Sequence, residues 1–279
     1  MKLIILGITV FLLTTLSIEI NSQVLDDCVL KCQYKYTWKF DTIKNKIRDD
    51  LIYLQIGGVV SKCFSYYTFQ SDSLRSTPDG QKVWRELFTK AIEKNGIKAT
   101  NFPYKRMKTY VYKNYPQGKM TVTDGLSLQD YMYEDELHPQ EWQMTDSTKT
   151  ILDYTCQQAV CYFRGRYWTA WFAPDIPVND GPWKFGGLPG LIMEVYDRGH
   201  QYHFTIVGLQ QVDHEPIIFS PTNVGSKKFE QTNRIDFLKA KKRYLMDMNG
   251  YIQMETGIDL SNGEPANIMR YDLMERDYK

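Results

Sequence analysis

Cys161-Tyr162-Phe163-Arg164-Gly165-Arg166-Tyr167-Trp168-Thr169-Ala170-Trp171-Phe172 is the stretch whose reading decides the fold class. Aromatic and branched side chains crowd both sides of Arg164-Gly165, and such residues fit a pleated, half-buried surface. Residues 150–163 and 167–172 are therefore expected to be strands joined by a hairpin turn at Arg164-Gly165, although Arg-Gly is a weaker turn signal than Asn-Gly. Working outward, residues 191–196 alternate and should return to the same sheet, followed by residues 203–209 and 217–219. Upstream, Tyr34-Lys35-Tyr36-Thr37-Trp38-Lys39-Phe40 alternates apolar and polar with period two, the mark of a half-buried strand. Gly57-Gly58 lies between residues 51–56 and 59–67 and signals another hairpin. Residues 107–112 and 120–123 add short strands, with a turn around Tyr115-Pro116-Gln117-Gly118.

Two segments break this pattern. Over residues 79–95, Val83, Trp84, Leu87, Phe88, Ala91 and Ile92 recur at helical spacing. Thr77 or Asp79 can cap the start of that helix, and Gly96 can close it. A second helix is expected within residues 229–248, carrying Ile235, Leu238, Tyr244, Leu245 and Met248. The expected class is α+β: a large curved antiparallel sheet with one or two packed helices. A half-barrel like that of the bacterial Lol-type lipoprotein carriers is an analogy for such a sheet.

After the hairpin comes Gly181-Pro182-Trp183-Lys184-Phe185-Gly186-Gly187-Leu188-Pro189-Gly190-Leu191-Ile192. Pro189-Gly190 reads as the centre of a type II turn, with Gly190 supplying a positive φ. Leucines flank the pair, so the turn has to pack against something. Nothing from Gly187 through Leu188, Pro189, Gly190 and Leu191 to Ile192 can donate or accept a proton through its side chain, which marks a structural turn. With the upstream Phe163-Arg164-Gly165-Arg166 and Ala170-Trp171-Phe172, this segment closely resembles the signature of the GLPGLI family of bacterial envelope proteins. The resemblance is specific over about residues 150–197. It implies an exported envelope protein and carries no established activity with it.

The amino terminus agrees with export. Lys2 precedes a charge-free run from Leu3 to Leu16, and Ile20-Asn21-Ser22 forms a small, polar exit. The run falls short of the ~20 apolar residues that span a bilayer, so residues 1–22 read as a signal peptide and residues 23–279 as a single domain. Asp27 before Cys28 is wrong for lipid attachment. No other segment suits a transmembrane span, so the mature chain is expected in the periplasm, with the outer membrane or the exterior as further addresses. The net charge of +1 gives no argument for nucleic acid as a partner. The five cysteines, Cys28, Cys32, Cys63, Cys156 and Cys161, would meet an oxidising compartment, so disulfides are expected. Cys156 and Cys161 lie too far apart in a strand to join each other, which leaves partners among Cys28, Cys32 and Cys63. Their spacings are not those of a zinc site.

Arg164, Arg166, Trp168 and Trp183 are the candidate binding residues. Guanidinium groups hold carboxylate or phosphate and stack on aromatic faces, so an anionic or apolar ligand, or an envelope protein, would suit them. The competing reading places the arginines at a hairpin tip in solvent and the tryptophans in the core. No nucleophile elbow, phosphate loop or zinc-protease motif occurs, and no cofactor or catalytic residue is assigned. His200 and His203, three apart in an expected strand, should face opposite sides and make a poor metal pair. Asp130, Glu134, Asp135 and Glu136 form an acidic, loop-like run. A binding or assembly role in the envelope is the primary expectation; a hydrolase using scattered carboxylates is the alternative.

Overall fold

A computed structural model describes residues 22–96, 102–224, 227–259 and 272–279. The expected signal peptide therefore lies, but for Ser22, outside the described residues. Two meanders build one twelve-stranded sheet. The first comprises β1 (Gln23–Asp41), β2 (Lys46–Ile56), β3 (Ser61–Ser65), β4 (Tyr110–Lys113), β5 (Lys119–Leu126) and β6 (Gln129–Glu136). The second comprises β7 (Gln143–Ile151), β8 (Tyr154–Phe163), β9 (Arg166–Ala173), β10 (Leu191–Asp197) and β11 (Tyr202–Phe219). They join along β1 and β11, which run antiparallel from Gln23 opposite Phe219 to Trp38 opposite Tyr202. Three register shifts interrupt this seam, after Val24, Cys28 and Gln33. The two-residue β12 (Glu230–Gln231) adds to β6 in parallel, so the sheet is mixed and not wholly antiparallel as expected.

Among the described residues four helices accompany the sheet, more than the one or two expected. The helix α2 (Pro78–Asn95) starts where the cap signal places it: the Thr77 hydroxyl accepts from the Gly80 N–H, and Pro78 needs no hydrogen-bond partner in the first turn. The extra helix is α1 (Tyr66–Arg75), which takes over residues expected to end a strand. Ser65 caps it by accepting from Thr68 N. The expected carboxy-terminal helix divides into α3 (Arg234–Met246) and α4 (Met248–Thr256), with Asp247 between them. Phe237 and Leu238 of α3 are buried against the sheet. Among the described residues, no helix is long and apolar enough to cross a membrane.

Residues 150–163 also depart from the expected single strand. Leu152 and Asp153 both have positive φ, 47° and 66°, and turn the chain between β7 and β8. Arg164 and Gly165, at 50° and 79°, do the same between β8 and β9. Paired positive φ values are what a two-residue hairpin needs to match strand twist.

The expected disulfides are absent: all five cysteines are unpaired and buried. Pairing register gives the reason. Cys32 and Cys63 stand opposite the same residue, Leu54, from the two sides of β2. They are thus two strand spacings apart, roughly 10 Å, beyond the reach of a disulfide. Cys156 and Cys161 sit on β8, in the other meander, opposite Lys149 and Trp168.

Candidate functional site

The segment between β9 and β10 folds back on the sheet, and two buried lysines pin it there. Lys113 of β4 donates from Nζ to Asp180 Oδ1 at 2.5 Å, to the Gly181 carbonyl at 2.6 Å and to the Phe185 carbonyl at 2.7 Å. Gln140 donates to the Lys184 carbonyl and Trp142 to that of Gly186, both at 2.8 Å. Tyr34, from the centre of β1, donates to the carbonyl of Ile192 at 2.8 Å. Leu188, Leu191 and Ile192 are buried in the core.

The turn itself differs from the expected type II form. The positive φ belongs to Gly187, at 87°, whereas Gly190 is not among the glycines with positive φ. Gly190 donates instead to the Leu188 carbonyl at 2.8 Å, closing a tighter turn around Pro189. Its lack of a side chain serves close packing: a Cβ there would lie 2.3 Å from the Ala173 carbonyl oxygen.

Lys184 leaves this segment to enter an ionic cluster whose centre, Lys184, Asp135 and Glu275, is buried. Its Nζ lies 2.8 Å from Asp135 Oδ2, 2.6 Å from Glu275 Oε1 and 3.3 Å from the Tyr133 hydroxyl. Arg164 reaches Asp135 Oδ1 at 2.5 Å and Asp277 Oδ2 at 3.4 Å. Arg234 of α3 closes the cluster on Glu275 at 2.8 Å and Asp277 at 2.7 Å. Burial alone would raise the Asp135 carboxyl, but Lys184 and Arg164 overcome it and hold it below the usual range. Burial opposes ionisation of Lys184 too, and there Glu275 and Asp135 win and raise it.

The four candidate binding residues are thus not free hairpin-tip groups. Arg166 is buried, donating to Asp197 Oδ2 at 2.9 Å and to the carbonyls of Met274 at 2.9 Å and Leu273 at 2.7 Å. Trp168 is buried and donates to the Phe163 carbonyl at 3.0 Å. Trp183 is held at φ 53°, an uncommon value for a bulky side chain, and its N–H donates to Cys63 Sγ at 3.0 Å. The acidic run 130–136 is strand β6, not a loop, and alternation turns Asp135 inward while Glu134 and Glu136 face solvent. His200 sits in the turn before β11, its ring 6.0 Å from that of His203, which meets Glu194 at 2.7 Å. Among the described residues, no three histidine, cysteine or carboxylate side chains gather as a metal site.

Trp183 also faces a cavity of about 290 Å³ between the sheet and α3. Tyr36, Trp38, Leu126, Tyr133, Phe237 and Leu245 form its apolar wall, and Leu273 and Met274 of the carboxy-terminal segment close one side. Arg106, Lys108, Asp124 and Lys241 add a polar border. There Lys241 meets Asp124 Oδ2 at 2.6 Å, and Thr109 donates to the same oxygen at 2.7 Å. Sequence periodicity marks several of these residues as inward-facing, but nothing in the order of residues announces a space between them.

Residues 164–194 match the family described as "Protein of unknown function (Porph_ging)". This stretch is of the GLPGLI type. It spans the β8–β9 turn, the pinned segment and the start of β10, the part of the chain that the ionic cluster locks. No curated protein sequence matches the chain. Two solved structures of PNGF-II, in space groups C2 and P21, are similar at 13% and 11% identity, each with a TM-score of 0.48. The matches cover 77% and 76% of this chain, which spans about a third of PNGF-II, 32% and 33%.

Proposed function

We propose that this GLPGLI-type protein is an exported cell-envelope binding protein, and that the cavity between its sheet and α3 takes the apolar part of a ligand. The observation that carries this reading is the aromatic wall of Tyr36, Trp38, Tyr133, Trp183 and Phe237 around a space of about 290 Å³. Ligand sites are typically concave, mostly apolar and bordered by a few polar groups, at roughly 300–1,000 Å³. An open sheet with α3 packed on it fits a half-barrel, and an analogy with half-barrel carriers supports a binding role for the cavity.

The gathered carboxylates of the ionic cluster are spent on ion pairs inside the fold, which favours a structural role for them. Asp135, Glu275 and Asp277 each meet a cation, and Asp135 and Asp277 are held below the ordinary carboxylate range. A general acid requires the opposite shift. Organic extraction of protein purified from its native envelope, followed by mass spectrometry, tests the reading. An acyl-chain amphiphile should be recovered, and a fluorescent fatty acid should bind the emptied protein. Leu245→Trp, which fills the cavity, should abolish that binding while the melting temperature holds. Undiminished binding by a folded Leu245→Trp protein would refute the assignment.

A further inference from the structure

A second site lies at the tip of the β8–β9 hairpin, apart from the apolar cavity. The β1–β2, β8–β9 and β10–β11 turns converge there around a cleft of about 570 Å³. Its charged lining is Lys39, Arg166, Arg198 and Arg276 against one carboxylate, Asp197. Arg166 already takes up that carboxylate, at 2.9 Å and out of contact with solvent. Arg276 is held by Asp272 at 3.0 Å. Lys39 and Arg198 have no carboxylate within ion-pairing distance among the described residues. Lys39 reaches only the Gly199 carbonyl, at 3.4 Å, and the Arg198 guanidinium stands 5.8 Å from the Tyr167 ring centre. Tyr162 and Tyr167 face each other across β8 and β9 and remain 63% and 60% exposed, their ring centres 5.0 Å apart. Arg198 beside two exposed, paired tyrosines matches the side chains enriched at protein interfaces, and Lys39 adds a second surplus charge.

The chain itself displays what such a surface accepts. Residues 272–279 include Asp272, Glu275 and Asp277 and lie along the same hairpin. Arg276 N donates to the Arg164 carbonyl at 2.8 Å, and Arg166 holds the carbonyls of Leu273 and Met274. A segment of mixed charge, three carboxylates against Arg276 and Lys279, is thus seated along the hairpin, its carbonyls on Arg166 and its Asp277 on Arg164. The other side carries the same chemistry with its cations unspent.

We propose that the cleft bordered by Lys39, Arg198, Tyr162 and Tyr167 docks an acidic peptide segment of a partner protein, its carboxylates on the two cations and its apolar side chains on the tyrosines. This does not depend on the apolar cavity or its ligand.

The probes are a fluorescent ten-residue peptide alternating Glu and Leu, the same peptide with Gln for Glu, and sodium polygalacturonate. The Glu peptide should bind with an affinity that falls as salt rises, and the Gln peptide about tenfold more weakly or worse. Lys39→Ala with Arg198→Ala should weaken the Glu peptide about tenfold and flatten its salt dependence, with the melting temperature unchanged. Tyr167→Ala should weaken the peptide while leaving any binding of polygalacturonate as it was. Two results would overturn the proposal. One is polygalacturonate binding as tightly as the Glu peptide at equal carboxylate concentration. The other is a folded double variant with native affinity.

Discussion

The Nζ of Lys184 lies 2.6 Å from Oε1 of Glu275, 91 residues further along the chain, and solvent reaches neither group appreciably. This pair ties the GLPGLI segment to the carboxy-terminal strap, and through Asp135 to the middle of β6. Removing one member of a buried pair leaves the other charge without compensation. Lys184→Met should therefore cost about 3–5 kcal/mol at neutral pH, read from denaturant melts.

The same cluster sets an acid limit. Asp135 and Asp277 are held below their ordinary value of 3.8 in the folded protein, so folding favours their ionised form. Their stabilisation is complete above about pH 5 and is lost as the pH falls through the folded values. Melting temperature should drop steeply below that point. The gap between native protein and Lys184→Met should narrow there, because protonated Asp135 no longer compensates the buried ammonium. A gap that stays constant from pH 7 to pH 2 would show that the cluster does not govern acid unfolding.

Arg166→Ala should behave as a core mutation. The guanidinium satisfies Asp197 and two carbonyls of the strap, all away from water. Its loss strands Asp197 and should cost about 3–5 kcal/mol in a urea titration. Arg198→Ala, on the exposed turn nearby, should change stability by about 0.5 kcal/mol or less.

Gly190→Ala should lower stability by about 1–3 kcal/mol through overpacking, since the added methyl meets the Ala173 carbonyl at 2.3 Å. The obstacle is backbone, so trimming neighbouring side chains should not restore the loss. An unchanged melting temperature for Gly190→Ala would show that the backbone around Ala173 and Pro174 yields without cost.

Thiol accessibility provides a fifth check. Burial pushes the Cys63 and Cys161 thiols up to about 12 and Cys156 up to about 11, leaving almost no thiolate at neutral pH. Five thiols should react with a chromogenic disulfide in denaturant without prior reduction, and none promptly in the folded protein. Fewer than five in denaturant would reveal a disulfide.

Local signals carried much of the fold. The α2 cap at Thr77, the alternation of Tyr34 to Phe40 and the hairpin at Arg164-Gly165 all depend on residues within one or two turns of each other, where sequence order and spatial order coincide. The β7–β8 turn was hidden because Leu152-Asp153 carries no glycine or asparagine and its neighbours suit a strand on both sides. The start of α1 was hidden because Ser65 caps a run of aromatic residues that would fit a strand equally well. The ionic cluster was beyond reach for another reason. Lys184 meets Asp135 and Glu275 across 49 and 91 residues, and a lone charged residue gives no hint of so distant a partner. The arginines were noticed by residue type, but type alone could not tell a guanidinium spent inside the fold from one left for a partner.

The seam between the two meanders has a consequence for the order of events as the chain is made. Among the described strands β1 comes first in the chain, yet one of its edges is completed only by β11, from Gln23 opposite Phe219 to Trp38 opposite Tyr202. Strands β2 to β6 can assemble on β1 as they appear, each beside its predecessor, while that long edge stays open. An unpaired edge of this length invites wrong partners until β11 arrives. Closure of that line late in folding is what turns two separate ribbons into one molecule. Pulse-labelled hydrogen exchange should find the amides of β4 and β5 protected before those that β1 shares with β11.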